Sequence, residues 1–316
     1  MDTSADFSKR TFVSQKFRKM KIIVTGSLGH ISKPLTQSLL GNGHSVTVIT
    51  SNPEKQQAIE ESGAVAAVGS VEDGPFLVKT LDQADAIYCM TPPNFSAPDQ
   101  LAYYELIARN YAEAIRQSGV KRVIHLSSYG AHLPAGTGFI TGSHRAENIF
   151  NNIPGINVTH IRPGYFYYNL LGFIPMIKAA GFIGNVYGGD DKLAMVSPLD
   201  IADAVAQEIV QADSSSRFRY VVSDDRTCRE IAAILGKAIG KPELQWQVLP
   251  ADQVKQSLQA AGISNNAAEN LLELGQAVHS GILREDYEKQ VPALGKIKLE
   301  NFANEFASVY NHTIKQ

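Results

Sequence analysis

The clearest chemistry in this sequence is a turn shaped to hold phosphate. In KIIVTGSLGHIS, residues 21–32, an apolar run from Ile22 to Val24 ends in Thr25 and Gly26. Gly29 follows three positions on and Ser32 three after that. A tight turn between a first strand and a first helix aims backbone N–H groups outward, and the helix N-terminus adds partial positive charge, so together they suit a pyrophosphate. Gly26 permits the turn, Gly29 lets a ligand approach the backbone, and Ser32 keeps the helix close to the sheet. Gly26, Ser27, Leu28, Gly29, His30 and Ile31 are the candidate contacts. The common G-x-G-x-x-G is not met, because Val24 stands where its first glycine would be. A merely tight strand–helix turn is the alternative.

Other candidate residues stand where apolar runs end. Thr50, Ser51 and Asn52 close SVTVIT, with Lys55 just beyond. Ser70 and Val71 follow AVAAV, Thr91 and Pro92 follow DAIYCM, Ser127 and Ser128 close KRVIHLSS, and Pro163 and Gly164 follow INVTHIR. NAD sites usually carry an Asp or Glu about twenty residues after the glycine turn, for the ribose diol. Thr50–Asn52 offer none. A carboxylate would repel a 2′-phosphate, whereas hydroxyls, an amide and Lys55 would accept one. The expected cofactor is NADP(H), with NAD(H) the alternative. Tyr129, Tyr165, Phe166, Tyr167 and Tyr168 suit a flat aromatic ligand; core packing is their other reading.

The elements that must position these residues alternate short β-branched runs with longer helical stretches. KIIVT, SVTVIT, AVAAV, DAIYCM, KRVIHLSS and INVTHIR read as strands, with AVAAV and DAIYCM buried. KPLTQSLLGNG, PEKQQAIEES, GPFLVKTL, the long stretch from Asp99 to Ser118 and SHRAENIFNN read as the intervening helices. Such alternation predicts an α/β fold: a doubly wound parallel (Rossmann) sheet with helices on both faces and ligands beyond the strands' carboxyl ends. After Arg162 the rhythm changes. LAMVSPLDIADAVAQEIV reads as a strand plus a helix, FRYVVSD as a further strand, ELQWQVLP as an extra one, and the rest as mostly helical. The expected organisation is a disordered tail at 1–19, a dinucleotide-binding domain at 20–165 plus 188–222, and a smaller, mostly helical lobe at 166–187 plus 223–316. Met20 precedes the first strand, so the tail reads as an upstream extension.

TGSLGHIS resembles the T-G-x-x-G-x-x-G turn of extended and atypical short-chain dehydrogenases/reductases. KRVIHLSSYGA, INVTHIRPGYFYYNLL and VSPLDIADAVAQEI then resemble, in order and spacing, the NmrA-like branch. The resemblance implies NAD(P)H binding, and either reduction of quinones and azo dyes or a redox-sensing role. Ser32 replaces the third glycine, Ser51 stands where similar proteins often carry Arg, and Ser70 where they often carry Asp, leaving Val71 to serve by its backbone. The main short-chain branch uses a Ser with Tyr and Lys in Y-x-x-x-K, the Lys lowering the Tyr pKa for proton exchange. Ser127 or Ser128 matches that Ser, but residues 130–150 contain no Tyr and no Lys, which argues against alcohol or sugar chemistry. The resemblance instead implies His144 near the substrate, with Ser143 competing for the position. A quinone is electrophilic and takes its proton from His or water, so a His suffices. The first expectation is an oxidoreductase for a small aromatic substrate, with His144 as its catalytic residue. The second is a sensor that binds NAD(P) without turnover and reports to a protein partner.

Composition bounds the rest. Lys+Arg total 29 and Asp+Glu 31, a balance that gives no support to nucleic-acid binding. Cys89 and Cys228, the two cysteines, are far apart and fit a reducing, cytoplasmic setting. The eight histidines show no metal-ligand spacing. LLGFIPMIKAAGFIG, residues 170–184, is too short and too interrupted to span a membrane, and the N-terminal stretch lacks an apolar signal core.

Overall fold

The computed structural model describes residues 18–211, 217–290 and 292–312; most of the expected tail lies outside them. The chain opens as β1 (Lys21–Val24), α1 (Ser32–Gly41), β2 (Ser45–Thr50), α2 (Gln56–Glu61), β3 (Val65–Val68), α3 (Gly74–Leu81), β4 (Ala86–Cys89), α4 (Gln100–Ser118), β5 (Arg122–Leu126), α5 (Phe139–Asn151) and β6 (Asn157–Pro163). It continues through β7 (Tyr165–Phe166), α6 (Ile174–Ala180), β8 (Ile183–Asn185), β9 (Lys192–Val196), α7 (Pro198–Val210), β10 (Phe218–Val221), β11 (Asp224–Thr227), α8 (Cys228–Ala238), β12 (Trp246–Val248), α9 (Ala251–Ala260), α10 (Asn265–His279), α11 (Glu285–Gln290) and α12 (Leu299–His312).

The main sheet has seven parallel strands in the order β10-β6-β5-β4-β1-β2-β3. The winding reverses between β1 and β4, so a crevice opens at their carboxyl ends. Alternation along β1 explains the layers. Ile23 faces Leu77, Ile107 and Tyr111 on the side of α3, α4 and α5. Ile22 and Val24 face Leu35, Leu39, Ile201 and Val205 on the side of α1 and α7. The longest helix, α4, starts at Asp99, whose carboxylate accepts from Ala102 N, and stops at Gly119 in the left-handed region. The matched histidines of β5 and β6 pair across the sheet, His125 Nδ1 lying 3.0 Å from His160 Nδ1. Burial pushes both imidazoles down to about 3.

The sequence reading of β3 as a buried strand needs correction. β3 is the sheet's edge, and Val65 and Val68 are 62% and 41% exposed. An apolar run marks a strand without saying where in the sheet it lies.

Beyond β6 a separate core forms from Tyr167, Trp246, Ile231, Leu235, Phe302 and Phe306. It is flanked by a three-stranded sheet, β11-β9-β7, and a two-stranded one, β12-β8. α8 is anchored by a capping box in which Thr227 and Glu230 satisfy each other's backbone N–H groups. No helix among the described residues is long and apolar enough to cross a membrane.

Candidate active site

The glycine turn is built as a rigid cradle. Thr25 N donates to Tyr88 O and Met90 N to Thr25 Oγ1, each at 3.1 Å, binding the end of β1 to the end of β4. Gly26 has φ +90°, and a Cβ there would lie 2.6 Å from Ser32 Oγ. Ser32 donates to Thr25 O at 2.6 Å. Gly26 and Ser32 are therefore a matched pair: the hydroxyl occupies the space that the missing side chain leaves, and it draws α1 onto the sheet. Ser27 takes the left-handed region at φ +56°. Its N–H donates to Ile49 O at 3.1 Å and its hydroxyl to Thr50 Oγ1 at 2.9 Å. Gly29 N donates to Gly26 O at 3.1 Å, and a Cβ on Gly29 would meet that same oxygen at 3.0 Å. α1 has no acidic residue in its first turn and no side-chain cap from Ile31, so its positive end is left for an anion. These features fit a dinucleotide's phosphates.

The residues expected around the adenosine end are only partly available. Asn52 spends its side-chain oxygen on Glu54 N at 2.9 Å, capping a short turn at Pro53–Lys55. Ser51 and Lys55 are exposed beside it. Ser70 Oγ accepts from Glu72 N at 3.1 Å, and the Val71 carbonyl accepts from Asn110 Nδ2 at 3.2 Å, while the Val71 side chain sits in the core.

A cavity of about 640 Å³ opens over the carboxyl ends of β4, β5 and β6. Its floor includes Thr91, Ser127, Ser128, Pro163 and Gly164; Met90 and Pro93 join Thr91, whereas Pro92 does not. Tyr129, Tyr165 and Phe166 line it, with Tyr168. Tyr167 turns the other way, its hydroxyl donating to Ile297 O at 3.1 Å within the second core. Burial pushes the Tyr165 and Tyr168 phenols up to about 12. Tyr168 also stacks on His30 of the glycine turn, ring centroids 4.6 Å apart. A cleft of about 420 Å³ between α7, β10, Gln290 and residues 292–296 contains none of these residues.

The structure does not bring His144 to this cavity. Its Nδ1 lies 2.9 Å from the Ala131 carbonyl, which can only accept, and its Nε2 faces the Asn148 amide nitrogen at 3.0 Å. Both ring nitrogens are engaged. Ser143, the neighbouring candidate, lines the cavity instead. Sequence reading also missed what stands behind Ser127. Its hydroxyl donates to Glu147 Oε1 at 2.5 Å. Arg162 grips that carboxylate with Nε at 2.9 Å and Nη2 at 2.7 Å, both side chains only 7% exposed. Arg162 continues to Asp286 at 3.3 Å and stacks over Phe218 at 4.2 Å. With its proton committed to Glu147, Ser127 presents lone pairs to the cavity, where it can accept a hydrogen bond and hold a donor group in place.

The strand order and the glycine turn together define a dinucleotide-binding α/β protein. The chain belongs to the NmrA-like family, whose model matches residues 18–286. A (4-alkanoyl-5-oxo-2,5-dihydrofuran-3-yl)methyl phosphate reductase of Streptomyces griseus is 28% identical over 241 residues, 76% of this chain and 80% of that protein. An NAD(P)H azoreductase of Xenophilus azovorans is 24% identical over 257 residues, 80% of this chain and 85% of that protein. Among solved structures, the NADPH-dependent quinone oxidoreductase of Escherichia coli complexed with NADPH superposes with a TM-score of 0.75 at 22% identity, covering 93% of this chain and 99% of its own. The Citrobacter triphenylmethane reductase complexed with NADP(H) gives 0.73 at 21%, covering 90% and 99%. At such identities the likeness to these two structures is one of fold.

Proposed function

We propose that this chain is an NAD(P)H-dependent oxidoreductase that reduces quinones or similar aromatic acceptors, with NADP(H) as the preferred cofactor. The observation that carries the reading is the meeting of two features at one set of strand ends: a phosphate cradle with its positive helix end unspent, and a cavity walled by Tyr129, Tyr165, Phe166 and Tyr168. The relatives named as azoreductase and as quinone and triphenylmethane reductases support it. When bound, the nicotinamide would supply hydride. The chain's own part is to hold the acceptor flat between aromatic walls, keep water out and orient polar groups through Ser127 and Ser143. Positioning of that kind accounts for much of the acceleration when the acceptor is itself electrophilic.

Stopped-flow absorbance at the nicotinamide band with a panel of quinones tests this. NADPH oxidation by quinones is expected, with no NADP⁺ reduction by alcohols or sugars. Tight NADPH binding with no turnover on any quinone or azo dye would overturn it in favour of a sensor that reports to a protein partner.

Two variants refine the reading. Ser51→Asp is expected to turn cofactor preference toward NAD(H), because a carboxylate at the end of β2 repels a 2′-phosphate and pairs with a ribose diol. Dissociation constants for both cofactors check this; tighter NAD(H) binding by the parent protein would contradict the NADP(H) assignment. His144→Ala is expected to leave the hydride-transfer rate essentially unchanged, because both its ring nitrogens are engaged outside the cavity. A fall of about 100-fold, typical of losing a general acid, would return His144 to the mechanism.

A further inference from the structure

The upper wall of the cavity has a different chemistry from its floor. α9 buries none of its residues. Its Val254 and Leu258, one turn apart, face the cavity, as do Leu271, Leu274 and Val278 from one face of α10 and Leu283 from the turn that follows. Every residue that the segment 254–283 contributes to the lining is apolar. All six named except Leu283 are only half-buried. An amphipathic helix gains most of its stability by covering its apolar face; here Val254, Leu274 and Val278 pack partly against core residues, and the same face borders the cavity. α9 packs Ala251 and Val254 partly against the second core and is tied to α10 by partly exposed polar contacts, Lys255 to Glu269 and Gln259 to Asn265, each at 3.1 Å. Contacts of that kind stabilise little. α9 therefore belongs to the low-stability end of the molecule, with its packing completed by whatever enters beneath it.

We propose that the acceptor carries an aliphatic chain, its ring lying on the strand ends and its chain running under α9 and α10. The ring's place rests on the reductase reading above; the chain's place rests on the upper wall alone. A charged group placed directly beneath Leu258, Leu271 and Leu274 would lose hydration against apolar side chains, at a desolvation cost, although Lys192 and Asn185 also line the cavity. A hydrocarbon chain meets them without penalty and removes their apolar surface from water.

The test uses the full chain saturated with NADP⁺ and a series of 4-alkylphenols from methyl to octyl, which bind without being reduced, measured by calorimetry. In parallel, KM is measured for 2-alkyl-1,4-benzoquinones of the same chain lengths with NADPH. Each added methylene is expected to tighten the dissociation constant by up to about fourfold, the equivalent of ~0.8 kcal/mol, with one-to-one stoichiometry, until the wall is covered. Hydrogen exchange of the α9 amides is expected to slow with the octyl ligand and not with the methyl one. Leu274→Gln is expected to flatten the dependence on chain length. Alkylphenols that bind with this slope while no quinone is reduced would uphold the chain site and remove the reductase reading. Quinones reduced with KM independent of chain length, or octyl and methyl phenols binding alike with α9 exchange unchanged, would overturn the chain site and leave the reductase reading in place.

Discussion

Gly29→Val is expected to lose NADPH affinity by about 100-fold or more while the protein stays folded. A Cβ at this position meets Gly26 O at 3.0 Å, so the turn must open, and the bond from Gly29 N to Gly26 O that shapes it is strained. The N–H groups at the start of α1 then no longer converge. Hydrogen bonds to a charged group contribute about 1.5–3 kcal/mol each, and losing two of them corresponds to a fall of that size. The cost to the fold is small, because the turn sits at the surface end of β1 and the packing of Ile22, Ile23 and Val24 is untouched. Calorimetry with NADPH, beside a thermal melt, separates the two effects. A variant that melts like the parent and binds NADPH equally well would show that the turn does not hold phosphate.

Arg162→Ala is expected to destabilise the protein by about 3–5 kcal/mol, the usual cost of stranding one member of a buried ion pair. Glu147 would be left almost without exposure, and of the three hydrogen bonds described above it would keep the one from Ser127. Removing both charges together, Glu147→Gln with Arg162→Met, is expected to recover much of the loss, since a buried pair replaced by groups of similar shape is often near neutral. The midpoint of urea unfolding reads both variants. A loss below about 1 kcal/mol for Arg162→Ala, as for an exposed pair, would mean that water reaches the carboxylate and that the pair does not fix Ser127.

Much of this architecture is legible in the sequence because its signals are local. Each strand of the main sheet is a short apolar run, and Asp99 and Gly119 bracket α4 through side-chain and backbone chemistry of their own. The strand ends that line the cavity are legible: Thr91, Ser127, Pro163 and Gly164 stand where apolar runs stop. What the sequence does not show depends on tertiary placement. His144 and Ser143 differ by one residue, and one residue on a helix is a rotation of about 100°, enough to exchange a cavity wall for the Ala131 carbonyl. Ser127, Glu147 and Arg162 come from three separate elements, with no spacing that signals their union. The upper wall is harder still. Gln100 N reaches Asn266 Oδ1 at 3.0 Å and Ser264 Oγ reaches Phe95 O at 3.3 Å, contacts between distant parts of the chain. The stripe Leu271, Leu274, Val278 lines the cavity, and nothing local in the sequence says what it faces.

The division of the cavity between two sources bears on how such a protein can diversify by descent. The glycine turn tolerates few residues, since a Cβ on Gly26 would lie 2.6 Å from Ser32 Oγ. α9 has no fully buried residue, so apart from Ala251 and Val254, which pack on the second core, its side chains can be exchanged at little cost to the fold. Inheritance can therefore preserve the nucleotide cradle unchanged while the cavity-facing positions of α9 drift. New acceptors would then be sampled by a lineage that never gives up its source of electrons.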